Sequence, residues 1–158
     1  MNRDDFQLVK LIHKLEIFQG LSGEEALEII RMGRRRSFAR EERVWSPDDP
    51  GVDMLVLLSG KLHVSDKAGA LIGQVLPGGV FGEMACLSGT PRYFGFQAAE
   101  SSTALSFSRV SLTGLVESKP QVYVSILEAA IKILARRAVV SFSGQRDSGA
   151  SQSASLSW

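Results

Sequence analysis

A chain of 158 residues, 44% of them hydrophobic, has the length and apolar content for one domain with an ordinary core. Its 18 Lys and Arg against 17 Asp and Glu leave a net charge of +1, so no long-range field gathers polyanions, and nucleic acid is not an expected partner. A single cysteine, Cys86, precludes an internal disulfide, "MNRDDFQLVK" lacks the apolar run of a signal peptide, and no segment approaches a bilayer span, so the expectation is a cytoplasmic protein with no membrane partner.

From Asp4 to Phe18, the residues Phe6, Leu8, Val9, Leu11, Ile12, Leu15 and Ile17 recur at mostly helical spacing and predict an amphipathic helix ending before Gly20. "SGEE", Ser22 to Glu25, has capping-box spacing and starts a second helix to about Met32, so the N-terminal helices occupy 4–32. The basic run "RMGRRR" with Arg40 reads as a solvated surface.

The pattern then changes to short aliphatic runs broken by Ser-Gly, Asp-Lys-Ala-Gly and Pro-Gly-Gly. Strands are predicted at Val52 to Leu58, Lys61 to Ser65, Leu71 to Leu76, Phe94 to Ala99 and Thr103 to Ser108, a β-roll over about 37–110. His63 alternates with Leu62 and Val64 and belongs to an outer face; with His13 the only other histidine, no metal site is expected.

Helix resumes over about 111–140. "SRVSLTGLVES" is one short helix, and Ser118 with Gln121 has a second capping-box spacing, Pro120 being tolerated in the first turn. On the last helix, Gln121 to about Val140, Glu128, Lys132 and Arg136 suit solvent, and Arg137, although long enough to reach back over a ligand site in the domain, is read as a further surface charge. Two apolar sets remain, Val122, Ile126 and Ile133 beside Tyr123, Leu127 and Leu134, enough to cover both the domain and a partner. The Ser-rich remainder, 141–158, reads as a disordered tail after a single domain at 1–140.

Between the strand groups lies "FGEMACLSGTPRYFGF", Phe81 to Phe96. Gly78, Gly79 and Gly82 allow close backbone approach, and the small residues after Glu83 can start a short helix with free N–H groups. Arg92 carries a donor fork that matches a phosphate, and Glu83, acceptor-only when ionised, suits a sugar diol. The plain alternative is that Glu83 and Arg92 pair with each other. Cys86 is expected to be a packed, inert thiol, and no grouping of nucleophile and base suggests an enzyme.

This loop resembles the phosphate-binding cassette of cyclic nucleotide-binding domains, as found in protein kinase A regulatory subunits, cyclic nucleotide-gated channels and catabolite activators. Phe81, Gly82, Glu83, Met84, Ala85, Leu87, Pro91 and Arg92 match that cassette, and "GLSGEEALEII", "LLSGKLHV" and "LPGGVFGE" extend the likeness over about Ile17 to Ala138. The resemblance implies an α+β, mainly β fold, a double-stranded β-helix (jelly roll) with flanking N-terminal helices and a long C-terminal helix.

It further implies that Glu83 accepts from the ribose 2′-hydroxyl and that Arg92 pairs with the cyclic phosphate. The amides of Gly82, Met84 and Ala85 would add donors, and Val64 and Ile72 would line the base pocket. The implied ligand is cyclic AMP ahead of cyclic GMP, with no further cofactor, and the last helix signals to a partner protein or a second copy in a homodimer. One departure bears on this: the small residues that usually follow the arginine are here Tyr93 and Phe94. If Tyr93 fills the pocket, the alternative is a nucleotide-independent dimerisation or docking module.

Overall fold

The computed structural model describes residues 14–146 and the two-residue strand Leu156–Ser157. The helix predicted from Asp4 lies largely outside the described residues; its described end is a single 3-10 turn, Glu16–Phe18, that buries both Ile17 and Phe18. Helix α1, Gly23–Met32, starts as predicted, with Ser22 accepting from the Glu25 amide and the Glu25 carboxylate accepting from the Ser22 amide at 2.8 Å. The box satisfies two of the donors that a helix start leaves free.

Eight strands follow: β1 Arg34–Phe38, β2 Arg43–Trp45, β3 Asp53–Ser59, β4 Leu62–Ser65, β5 Leu71–Val75, β6 Val80–Phe81, β7 Gly95–Ala98 and β8 Ser102–Ser108. They form two sheets, β1-β8-β3-β6 and β2-β7-β4-β5, the second extended by β9, Leu156–Ser157, parallel to β5. This is the jelly roll expected from the sequence. Three of the eight strands β1–β8 escaped the sequence reading. Strand β1 reads "RRRSF" and forms because its backbone pairs with β8 from Arg34↔Ser106 to Phe38↔Ser102, while its arginines suit an exposed sheet edge. Strands β2 and β6, at three and two residues, are too short to show a period.

The helices are α2 Glu83–Ser88 within the quoted loop, α3 Arg109–Ser118 and α4 Pro120–Arg146. Ser118 does not cap α4, contrary to its spacing. It sits in the last turn of α3 and donates its hydroxyl to the Gly114 carbonyl at 3.2 Å, while the Lys119 carbonyl receives the Val122 and Tyr123 amides. The segment 141–158 is also corrected in part: residues 141–146 continue α4, and Leu156–Ser157 pair with β5. Residues 147–155 and 158 lie outside the described residues.

Two apolar clusters divide the core. One, between helices and roll, holds Phe18, Ala26, Ile29, Met54, Val56, Phe107, Leu112, Val122, Ile126 and Ile133; the other fills the roll with Phe38, Trp45, Leu55, Leu57, Leu62, Val64, Phe81 and Phe96. Strand β3 supplies both, Met54 and Val56 on one side and Leu55 and Leu57 on the other. A strand buried on two faces needs the continuous apolar run its sequence has. Helix α4 lies on the first cluster through Val122, Ile126, Ala130 and Ile133, spaced at four, four and three.

Candidate functional site

The quoted loop leaves β6, forms α2 and returns to β7, with its outgoing limb tied to the β2–β3 connection: the Arg92 amide donates to the Asp49 carbonyl and the Asp48 amide to the Arg92 carbonyl, each at 2.8 Å. Gly82, the residue before α2, has φ of 77°, and a Cβ there would stand 2.6 Å from both Arg92 Nη1 and the Trp45 ring. Glycine therefore meets a backbone and a packing requirement at once.

That close approach holds Arg92. Its side chain is buried, 2% exposed, with Nη1 donating to the Gly82 carbonyl at 3.0 Å, Nη2 to Asp53 Oδ1 at 2.6 Å, and the guanidinium 3.5 Å from the Trp45 ring centroid. Asp53 is in turn held by the Ser106 hydroxyl at 2.8 Å and Arg36 at 3.2 Å. Burial lowers the Arg92 pKa from its ordinary value and Asp53 opposes this; an arginine so placed keeps its charge at neutral pH. Among the described residues, Arg92 Nε is a buried nitrogen with no hydrogen-bond partner.

Glu83, the first residue of α2, is 1% exposed and receives Nη1 of Arg137, whose Nη2 donates to the Val80 carbonyl at 3.0 Å. The two candidate ligands therefore do not pair with each other; each has its own counter-ion. Arg137 is not the surface charge expected from the sequence but 9% exposed, continuing the buried stripe of α4 one turn past Ile133. Cys86 is buried, its thiol pushed up to about 11 by that burial, which leaves it protonated and unreactive at neutral pH.

Burial raises the Glu83 carboxyl above its ordinary value, with Arg137 the largest opposing influence. Between the unfolded value near 4.5 and the raised native value, the folded state binds more protons than the unfolded one. This contribution to stability is therefore full below the window and falls as pH rises through it. Thermal melts from about pH 4 to about pH 7 should show Glu83→Gln gaining on the wild type as pH rises, because glutamine has no proton to lose.

One cavity of about 10 Å³ is lined by Gly82, Glu83, Met84, Ala85, Arg92, Tyr93, Phe94 and Phe96. It unites six of the sequence-predicted site residues. Val64 and Ile72 are elsewhere: Val64 is fully buried in the roll, and Ile72 packs on that same cluster together with Phe94. Tyr93 is 46% exposed, so its ring lines the rim without being swallowed by the pocket. The cavity holds about one water, far below the roughly 300 Å³ of small-ligand pockets, and a nucleotide would have to open it.

Asp53 was missed by the sequence reading, and Arg137 was weighed there but read as a surface charge. Arg137 did leave a signal, a charge at the next position of the stripe Val122, Ile126, Ala130, Ile133; Asp53, opening an apolar strand, left none beyond its charge. Among the described residues, no group of His, Cys, Asp and Glu could hold a metal ion, and no helix is long and apolar enough to cross a membrane.

A family model described as the cyclic nucleotide-binding domain matches residues 35–119. The chain is 29% identical over 113 residues to a cyclic nucleotide-gated potassium channel of Mesorhizobium japonicum, a match covering 72% of this chain and 31% of the channel. It is 24% identical over 132 residues to a CRP-like cAMP-activated global transcriptional regulator of Mycobacterium tuberculosis, covering 81% and 57%. The chain thus spans about a third to somewhat over half the length of these curated relatives. A solved cyclic nucleotide-binding domain of Methylobacillus flagellatus superposes with a TM-score of 0.79 at 22% identity, covering 95% of this chain and 85% of that one, which supports the fold. With more than half of its residues matched and the cassette carried on the expected roll, the chain belongs to the cyclic nucleotide-binding domain family.

Proposed function

We propose that the protein is a regulatory, non-enzymatic domain that binds a cyclic nucleotide, cyclic AMP ahead of cyclic GMP, and signals by repositioning α4 toward a partner. The observation that carries this is the meeting of Glu83 and Arg92 at one cavity, each charge buried and each with a separate counter-ion. Burying two such charges is costly, and the cost is explained if one is kept for the ribose 2′-hydroxyl and the other for the cyclic phosphate. The partnerless Arg92 Nε is a donor that a phosphate oxygen could satisfy. The relatives' names, a cyclic nucleotide-gated channel and a cAMP-activated regulator, point the same way.

The partner surface is the outer side of α4. Val124, Ile131, Val139 and Phe142 are exposed, with Leu127 and Leu134 half-buried beside them, an apolar seam suited to a second copy or a partner helix in the cytoplasm. Titration calorimetry with cyclic AMP and cyclic GMP tests the reading; absence of heat and of chemical-shift change with both would end it.

A second reading is favoured by the small volume of the cavity and by Phe94, which packs on the roll cluster where a small residue usually stands. In that case the domain is a nucleotide-independent dimerisation or docking module, working through Tyr123, Leu127 and Leu134. Its signature is an oligomer whose mass in light scattering is the same with and without nucleotide.

A further inference from the structure

We propose that strand β1 is a docking edge for an extended acidic segment of a partner protein, which adds to the sheet beside Arg34–Phe38 and sets two consecutive acidic residues against Arg34 and Arg35. This surface is separate from the cassette and does not depend on the nucleotide-binding reading above.

The first observation is an open edge. In the sheet β1-β8-β3-β6 the first strand pairs with β8 alone, from Arg34↔Ser106 to Phe38↔Ser102, so among the described residues no strand lies on its outer side. The backbone N–H and C=O groups of such an edge are a template for one more strand. The edge is also within reach, since Arg34, Arg35 and Ser37 are exposed.

The second observation is charge without a counter-charge. Opposite Arg34, Arg35 and Arg36 on β8 stand Ser106, Leu105 and Ala104, none of them acidic. Arg36 reaches back to Asp53 at 3.2 Å, but among the described residues the side chains of Arg34 and Arg35 have no ion pair or hydrogen bond. The same holds for the exposed Arg31, in the last turn of α1, and Arg40, two residues past the strand. Of the acids that follow, Glu42 is already engaged, accepting from the Ala39 amide at 2.8 Å. Four uncommitted guanidinium groups thus stand between positions 31 and 40, a concentration that the net charge of +1 hides.

Successive side chains on a strand point to opposite faces, so Arg34 and Arg35 make both faces of the edge basic. That charge keeps a second copy of the same edge away and receives an acidic strand. A nucleic acid or a lipid surface would meet the guanidinium groups but leave the backbone edge unused. Nor does β1 expose an apolar side chain to enter a bilayer, its one aromatic, Phe38, being buried in the roll. With so small a net charge, capture depends on local contact and not on steering from a distance.

The test is fluorescence anisotropy of the full chain with a labelled peptide, Thr-Val-Glu-Glu-Val-Thr-Val, beside one with Lys-Lys at its centre and one with proline in place of every valine. The Glu-Glu peptide should bind and shift the amide resonances of residues 34–38. The proline peptide keeps the charge but cannot complete a ladder, and it should bind about tenfold more weakly. Arg34→Glu/Arg35→Glu, which leaves the pair of Arg36 with Asp53 in place, should weaken Glu-Glu binding about tenfold and bind the Lys-Lys peptide instead. Should that double variant not fold, Arg35→Glu alone makes the same comparison with a smaller change.

No binding of the Glu-Glu peptide to wild type overturns the proposal, and so does binding that is equal for the proline peptide or indifferent to the arginine substitutions. Binding of phosphatidylserine vesicles or of a single-stranded oligonucleotide, with none of the peptide, would assign the patch to a polyanion and overturn it as well.

Discussion

Arg92→Ala is expected to weaken cyclic nucleotide affinity by about a hundredfold in calorimetric titration, the equivalent of one strong charge-assisted contact worth about 3 kcal/mol. The size follows from how the side chain is prepared before any ligand arrives. Asp53 fixes one end of the guanidinium, the Gly82 carbonyl takes another nitrogen, and Trp45 covers the face, so little rotamer freedom is left to lose on binding. Arg92→Lys separates charge from shape. A lysine can satisfy Asp53 as a point charge but lacks the fork, and it should recover only a small part of the affinity. Wild-type affinity in either variant would remove Arg92 from the site. Fold is monitored separately by thermal melts, since the Asp53 left behind retains Arg36 and Ser106 as partners.

Gly82→Ala is expected to disable the site without removing any side chain that would touch a ligand. The left-handed φ of 77° costs an alanine about 1–2 kcal/mol, and its methyl would collide with Arg92 and Trp45 at 2.6 Å. Together these should lower the melting temperature by about 5–10 °C and cost most of the nucleotide affinity by moving the Arg92 fork. Gly78→Ala is the matched control, because φ there is also positive, at 92°, but nothing lies within 4 Å of the added Cβ. It should show the backbone strain alone, a smaller drop in melting temperature with affinity kept. Equal affinity losses in the two variants would show that the collision with Arg92 does not matter.

The elements that the sequence made legible are those whose local signals agree with their tertiary setting. Ser22 and Glu25 mark the start of α1 because a capping box is satisfied within four residues, and the run from Asp53 to Ser59 reads as a buried strand because both of its faces meet apolar clusters. Strand β1 was hidden because arginines on a sheet edge look like a solvated loop until the pairing with β8 is known. Ser118 misled for a related reason: its spacing suits a cap, but Pro120 begins a new helix so soon after α3 that the serine is still spent on Gly114.

In the candidate site, Gly82, Glu83 and Arg92 were legible because they lie within eleven residues of one another. Their counter-ions were not, since Asp53 and Arg137 come from 39 and 54 residues away in sequence. Long-range ion pairs leave no period or spacing in the chain. A charge interrupting a buried stripe, as Arg137 does after Ile133, is the only trace such a pair leaves on its own helix.

Strand β3 carries one more consequence. Because Met54 and Val56 face one apolar cluster while Leu55 and Leu57 face the other, sliding the strand by one residue would swap two greasy sides and expose neither. Hydrophobicity therefore cannot choose the alignment of this central strand. The choice falls to its first residue, for a slip would turn the Asp53 carboxylate away from Arg36, Ser106 and Arg92 and toward the apolar cluster on the other face. The ion pair that aims Arg92 is thus also the index mark by which the roll is assembled in the correct frame.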